Sequence, residues 1–340
     1  MHNRLTNLAA ITAIAAFTTA QSVVVPNANA TTRGTSQLNT IIRNAGFPRT
    51  YQYGINAAEL TGIPIGSTIT GVSLRFQAFA ANTVSWPPAD ITWTNYDIWV
   101  GPATPTATWV ADPMQNFSAT PQQARSGPMT LDAKVFSNQN LPAPTPNPWA
   151  EFFFSFQNQF LYLGGDLAML FSHPGSTDPN VALYPETVAS SAATYGVGRT
   201  QPIYPVGAAT TVTTFYVMRV HYGFGVGCPG TTSVPNLVQN GDTTGGAGGA
   251  ILLQSGNTAP AAPVIFVLGF TTTNVPLPGG CTLLVTPDAT SFALADTKGR
   301  ANLTINVPPA ITGSFFGQAV ILDPAAGSLA TTNGVSPSAN

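Results

Sequence analysis

Val72-Ser73-Leu74-Arg75-Phe76-Gln77-Ala78 alternates apolar and polar side chains at every step. A period of two belongs to a strand, whose successive side chains point to opposite faces; a helix would need apolar residues three and four apart. The stretch predicts a strand with Val72, Leu74, Phe76 and Ala78 toward a core and Ser73, Arg75 and Gln77 toward water. The alternation recurs at Phe152, Phe154 and Phe156, and again at Leu167, Met169 and Phe171. Tyr216, Met218, Val220 and Tyr222 likewise face away from Arg219 and His221. Turn-forming clusters separate these segments: Pro87-Pro88, the proline-rich run 142–148 and Gly164-Gly165. Strands with one wet face and no helical pattern between them imply antiparallel sheets packed as a sandwich. One short helical turn is expected around residues 57–61.

The composition agrees. The 340 residues include 32 Gly and 30 Pro, and only 7% are charged, against roughly 25% in an average soluble domain. Beyond the N-terminus no apolar run approaches the roughly 20 residues of a spanning helix, so no membrane span is expected once that segment is removed. The formal net charge of −2 is spread without any basic run. A phosphate-binding footprint is missing, which excludes nucleic acid as an expected partner.

Residues 1–20 carry the parts of an export signal. Arg4 is the positive start, Leu8 to Phe17 the apolar stretch, and Thr18-Thr19-Ala20 the small-residue cleavage site. A second candidate, Ala28-Asn29-Ala30, would discard Val23-Val24-Val25, a β-branched run suited to the first mature strand. Cleavage after Ala20 is the expectation, and with it a secreted, extracellular or cell-surface location. The last residues, 333–340, show no hydrophobic tail.

All five tryptophans, at 86, 93, 99, 109 and 149, fall in the first half of the chain, and both cysteines, Cys228 and Cys281, in the second. Two units with different cores are expected, divided within Tyr222-Gly223-Phe224-Gly225-Val226-Gly227-Cys228-Pro229-Gly230. The predicted organisation is all-β: a signal peptide at 1–20, a β-sandwich at 21–224, and a second at 225–340. Both sandwiches are of jelly-roll or immunoglobulin-like type. In the second, Ile251-Leu252-Leu253, Val264 to Phe270, Thr282 to Val285 and Ala319 to Leu322 read as strands. Asp296-Thr297-Lys298-Gly299 reads as a hairpin turn between Phe292-Ala293-Leu294 and Ala301-Asn302-Leu303. The glycine-rich run 245–249 reads as a loop tip.

Several motifs in this second unit occur together: Gly227-Cys228-Pro229-Gly230, Pro276-Leu277-Pro278-Gly279-Gly280-Cys281-Thr282-Leu283-Leu284-Val285, and Asp296 with Gly299-Arg300-Ala301. Leu322-Asp323-Pro324 and Thr332-Asn333-Gly334 complete the set. In this combination the unit resembles a C-terminal module of secreted proteins from planctomycete-type bacteria. More loosely, Val25-Pro26, Ala30-Thr31-Thr32, Gly34, Phe160-Leu161-Tyr162 and Gly165-Asp166-Leu167 resemble an N-terminal module of similar exported proteins. The resemblance implies export and β-sandwich modules. It brings no activity and no catalytic residues with it.

Candidate chemistry is sparse. Two cysteines in an exported chain imply a disulfide between Cys228 and Cys281, since that compartment is oxidising and no histidines stand near them as zinc ligands. Gly225-Val226-Gly227-Cys228-Pro229-Gly230 matches a dinucleotide fingerprint by letter, but Pro229 and Thr231-Thr232-Ser233-Val234-Pro235 offer no helix to hold a pyrophosphate. No cofactor is expected. His173-Pro174-Gly175-Ser176-Thr177-Asp178 contains the letters of a catalytic triad, but triad members converge from separate elements, and a Pro-Gly turn accounts for the segment. The acids stand singly and often before proline, as at Asp112, Asp178 and Asp323, where turn or capping duty is the expected role. Asp90, Asp166 and Asp242 are each suited to calcium, but nothing in the sequence links them and no metal site is assigned.

The most informative segment is Asp90-Ile91-Thr92-Trp93-Thr94-Asn95-Tyr96-Asp97-Ile98-Trp99-Val100. Taken as one strand, it puts Tyr96, Ile98 and Val100 on one face and Trp93, Asn95, Asp97 and Trp99 on the other. Two tryptophans with an amide and a carboxylate form the kind of surface that stacks on sugar rings. The alternative is that both rings fill a satellite core under the proline-rich loops. The expectation is therefore a non-enzymatic structural or adhesion protein, its partners extracellular polysaccharide or other surface proteins. A carbohydrate-binding module is the second reading and a hydrolase the third.

Overall fold

The computed structural model describes residues 21–78, 84–150, 152–178, 184–202, 210–212, 214–240, 249–308 and 313–339. The export signal, Asp242 and most of the glycine loop 245–249 lie outside the described residues. The chain is all-β, and the only helical pieces among the described residues are 3-10 turns of three or four residues. One of them, Ala57–Leu60, is the turn expected near 57–61. No helix among the described residues is long and apolar enough to cross a membrane.

Two antiparallel sheets enclose the larger core. One has four strands in the order Ser22–Val25, Met218–Gly223, Thr68–Leu74 and Phe154–Leu161. The other has six: Thr210–Val212, Gly196–Gln201, Arg49–Ile55, Leu167–His173, Asp97–Pro102 and Gln122–Arg125. Their inward side chains form one buried cluster, as the period-two pattern predicts: Val72, Leu74 and Phe76 meet Phe154, Phe156, Met169, Phe171, Met218 and Val220. Side-chain amides stitch the sheets together along one side, where Gln122 donates to the Gln159 carbonyl (3.0 Å) and Asn158 to that of Gln123 (2.9 Å).

A second buried cluster gathers Leu237, Ile251, Leu253, Val264, Phe266, Ala319 and Ile321. It lies between a three-stranded sheet, Asn236–Asn240, Gly249–Gly256 and Ala301–Val307, and a four-stranded one. The latter runs Ala289–Leu294, Pro263–Gly269, Phe316–Asp323 and Ser328–Thr331. Cys228 and Cys281 are disulfide-bonded, with Cα atoms 5.2 Å apart. The bond ties the segment after Gly227 to the ribbon Thr272–Pro276 and Thr282–Val285.

Two expectations fail, each for a physical reason. The strands do not have one wet face. Ser73, Arg75, Gln77, Arg219 and His221 are all buried, because a later part of the chain, around Asn236 and Asn257, and Trp149 cover the outer face of the four-stranded sheet. Asn236 reaches the Thr70 carbonyl (3.0 Å) and the Ser155 hydroxyl (2.8 Å), and Asn257 reaches the Phe156 carbonyl (2.8 Å). The guanidinium groups of Arg75 and Arg219 lie over the Trp149 ring at 5.2 and 4.6 Å. Arg75 also pairs with buried Glu186, whose carboxyl pKa burial pushes up against the lowering effect of that arginine. The outer face of the six-stranded sheet is covered as well: Ala168, Leu170 and Val197 pack under Trp109 and Phe117. A Cβ at Gly54 would stand 2.4 Å from the Trp109 ring, so only glycine lets that loop lie flat on the sheet.

The predicted hairpin at 296–299 is the second. Its turn forms, with Gly299 N–H donating to the Asp296 carbonyl (3.0 Å) and Gly299 at φ +71°. The flanking strands then part. Ala289–Leu294 pairs with Pro263–Gly269, whereas Ala301–Val307 pairs with Gly249–Gly256 in the other sheet. The turn is an arch over the core and not the tip of a two-stranded ladder.

Candidate functional site

The segment 90–100 is not one strand. Ile91–Trp93 pairs with Met129–Leu131, the chain bends through Thr94 and Asn95, and Asp97–Pro102 enters the six-stranded sheet. The bend turns Trp93 inward beside Tyr96, edge to face with ring centroids 5.6 Å apart. Its exposure is 1%, which removes it from any stacking surface. Trp99, half-buried, packs with the Trp109 cluster outside the sheet. The two tryptophans therefore belong to different cores on opposite sides of the six-stranded sheet. Asn95 donates to Asp97 (2.6 Å) and accepts from the Gly127 N–H (2.7 Å), and Asp97 also accepts from Gln123 (3.3 Å). The expected sugar face of Trp93, Asn95, Asp97 and Trp99 is corrected accordingly: its rings are in packing and its polar groups shape the bend.

The other chemical candidates are occupied by structure. His173 Nδ1 accepts from the Gly175 N–H (3.0 Å), which leaves Nε2–H to donate to the Thr40 carbonyl (2.9 Å). Burial pushes the His173 pKa down to about 4. Ser176 accepts from the Asp178 N–H (3.3 Å), and Asp178 accepts from the Trp86 indole (2.9 Å). These contacts hold a turn and line up no nucleophile with a base. Asp112 caps the 3-10 turn Pro113–Asn116. Asp323 takes both the N–H and hydroxyl of Thr231 (2.6 and 2.9 Å) and the N–H groups of Ala325 and Ala326. Asp90 is paired with Lys298 (2.6 Å), and Asp166 accepts from the Ala57 N–H (2.7 Å). Among the described residues no three metal-ligating side chains gather.

What stands open is a sheet face. On the four-stranded sheet that contains Pro263–Gly269, Phe292, Ile265 and Val320 are neighbours across three strands and point away from the Phe266 core. The ribbon Thr272–Pro276 and Thr282–Val285 covers part of this outer face through Val285, Leu283 and Leu284. The rest is bare. Phe292 is 64% exposed, Leu294 61% and Leu322 42%. Phe292 and Leu294 stand on Ala289–Leu294, the last strand of its sheet, with no second partner strand among the described residues. Apolar character alone makes Phe292-Ala293-Leu294 look like a core strand. The signal that distinguishes it is the inverted alternation, in which small Ser291 and Ala293 face inward and the large side chains outward.

No protein-family model matches the chain, and no curated protein matches it.

Proposed function

We propose that the chain is an exported, non-enzymatic structural or adhesion protein of the cell surface that assembles with copies of itself through the strand Ala289–Leu294. The observation that carries this reading is the bare apolar half-face beside a strand edge that is unpaired among the described residues. Natural sheets blunt such edges with lysine, proline or a bulge. Ala289-Thr290-Ser291-Phe292-Ala293-Leu294 carries no charge and no proline, and its register with Pro263–Gly269 runs without a break. An apolar patch kept exposed on a folded protein marks an interaction surface. The export signal at 1–20, removed after Ala20, and the two sandwich modules at 21–224 and 225–340 belong to the same proposal. So does kinship with the two-module exported proteins that the chain resembles.

A second copy suits the edge because an uncharged strand is its own electrostatic complement. Antiparallel pairing about a two-fold axis through Phe292 sets that ring against its symmetry mate. It also sets Leu294 across from Thr290, all on the outer face. Sedimentation velocity of the mature protein should show a concentration-dependent dimer that Phe292→Lys abolishes without lowering the melting temperature. Phe292→Cys should cross-link to itself under mild oxidation. A wild type that stays monomeric at high micromolar concentration, or a Phe292→Lys protein that still dimerises, overturns the assignment.

A further inference from the structure

Where the two units meet, a cleft of about 260 Å³ opens between Met129-Thr130 and Phe152-Phe153 of the first and Gln254, Asn257 and the 297–300 turn of the second. None of its lining residues belongs to the strand Ala289–Leu294. Three cations line it, Arg125, Lys298 and Arg300, and among the described residues no acidic side chain does. Lys298 and Arg300 are held by Asp90, Asp132 and Asp296. Arg125 is different. It is nine-tenths buried, its fork of five donors makes one hydrogen bond among the described residues, to the Pro128 carbonyl (2.6 Å), and its Nε has none.

A buried guanidinium left this short of acceptors is costly unless an anion completes it. Desolvation lowers its pKa to about 10, with Asp97 near enough to oppose that but making no hydrogen bond to it. A planar carboxylate fits the fork in two-point fashion. The rest of the wall asks for more than a bare anion. Thr130, Ser155 and Asn257 line the wall beside Phe152 and Met129. Ser155 Oγ already accepts from Asn236, and Asn257 Nδ2 already donates to the Phe156 carbonyl. That leaves the Thr130 hydroxyl, the Ser155 O–H and Asn257 Oδ1 for a ligand, a mixture suited to a ring with hydroxyls on its edge and C–H groups on its face. The volume falls just below the roughly 300–1,000 Å³ of drug-sized sites, which is room for one ring. We infer that the inter-unit cleft binds a hexuronic acid residue, its carboxylate on Arg125 and its hydroxyls on the polar groups opposite.

Titration calorimetry on the full mature chain with sodium glucuronate tests this, beside glucose and sodium acetate. Glucuronate should bind saturably, with glucose and acetate each at least ten-fold weaker. Arg125→Gln should lose at least ten-fold. Thr297→Glu, an exposed turn position at the mouth, should weaken binding several-fold with the melting temperature unchanged, and it decides the matter if the buried Arg125 variant does not fold. No saturable glucuronate binding, equal affinity for glucose, equal affinity for acetate, or wild-type affinity in Thr297→Glu overturns the assignment.

Discussion

The side-chain amide of Asn333 takes both backbone groups of Leu237: its Oδ1 accepts the N–H at 2.9 Å and its Nδ2 donates to the carbonyl at 3.0 Å. All three groups are buried, and Gln159 reaches the same Oδ1 at 3.3 Å. One amide thus replaces a missing strand partner at the edge of the smaller core.

Asn333→Ala should cost about 2–6 kcal/mol, because it leaves two buried backbone groups unpaired at about 1–3 kcal/mol each. Urea denaturation followed by circular dichroism measures it. A loss under about 1 kcal/mol would mean that water replaces the amide at little cost.

Trp93→Ala should behave as a core truncation, destabilising by about 3–5 kcal/mol. Affinity for extended neutral polysaccharides should not change at temperatures where the variant is still folded. Paired thermal melts and glycan-array binding separate this from a stacking role.

Reducing the Cys228–Cys281 bond, or substituting Cys281→Ser, should cost about 4 kcal/mol on the chain-entropy treatment of a closed loop of this length. Hydrogen exchange should place the loss in residues 225–340. Amides in Arg49–Ile55 and Leu167–His173, far from the bond in the sheet order, should keep their protection.

Stability should fall as pH drops from 6.5 toward 4. His173 is held neutral in the fold down to about 4, while the unfolded chain takes up a proton near 6.5, so acid favours unfolding over that window. At about 1.4 kcal/mol per pH unit the effect of this one group is about 3 kcal/mol. His221, buried and also pushed down, adds in the same direction. Glu186, pushed up, works in the opposite sense over its own range. Comparing wild type with His173→Gln across pH 4–7 isolates the first contribution; parallel curves would refute it.

The class of fold was legible because alternation survives in isolated strands: Val72, Leu74 and Phe76 point where their spacing says they must. The polarity of the other face was not. Ser73, Arg75 and His221 read as wet, but a later part of the same chain covers them with hydrogen-bonding groups, and a period of two cannot say what lies above a sheet. The 90–100 segment failed for a local reason. Thr94 and Asn95 carry no proline or glycine to announce a bend, and it is fixed by Gly127 from a distant loop. The arch at 296–299 has the turn chemistry of a hairpin, and only strand pairing elsewhere distinguishes the two. Arg125 gave no signal at all, since its shortage of partners among the described residues exists only once segments distant in the sequence, such as 152–155 and 254–257, enclose it.

Phe224 pairs with Gly334, and Cys228 with Thr331. The segment 224–228 is therefore closed by the far end of the chain. The larger core draws on residues from Val25 to Tyr222, whereas Asn333, near the far end of the chain, closes the other one against Leu237. The face bearing Thr70, Phe153 and Ser155 is covered by Asn236 and Gly256, which come later in the chain. A chain cut short before Asn236 would present as surface what is interior in the whole molecule.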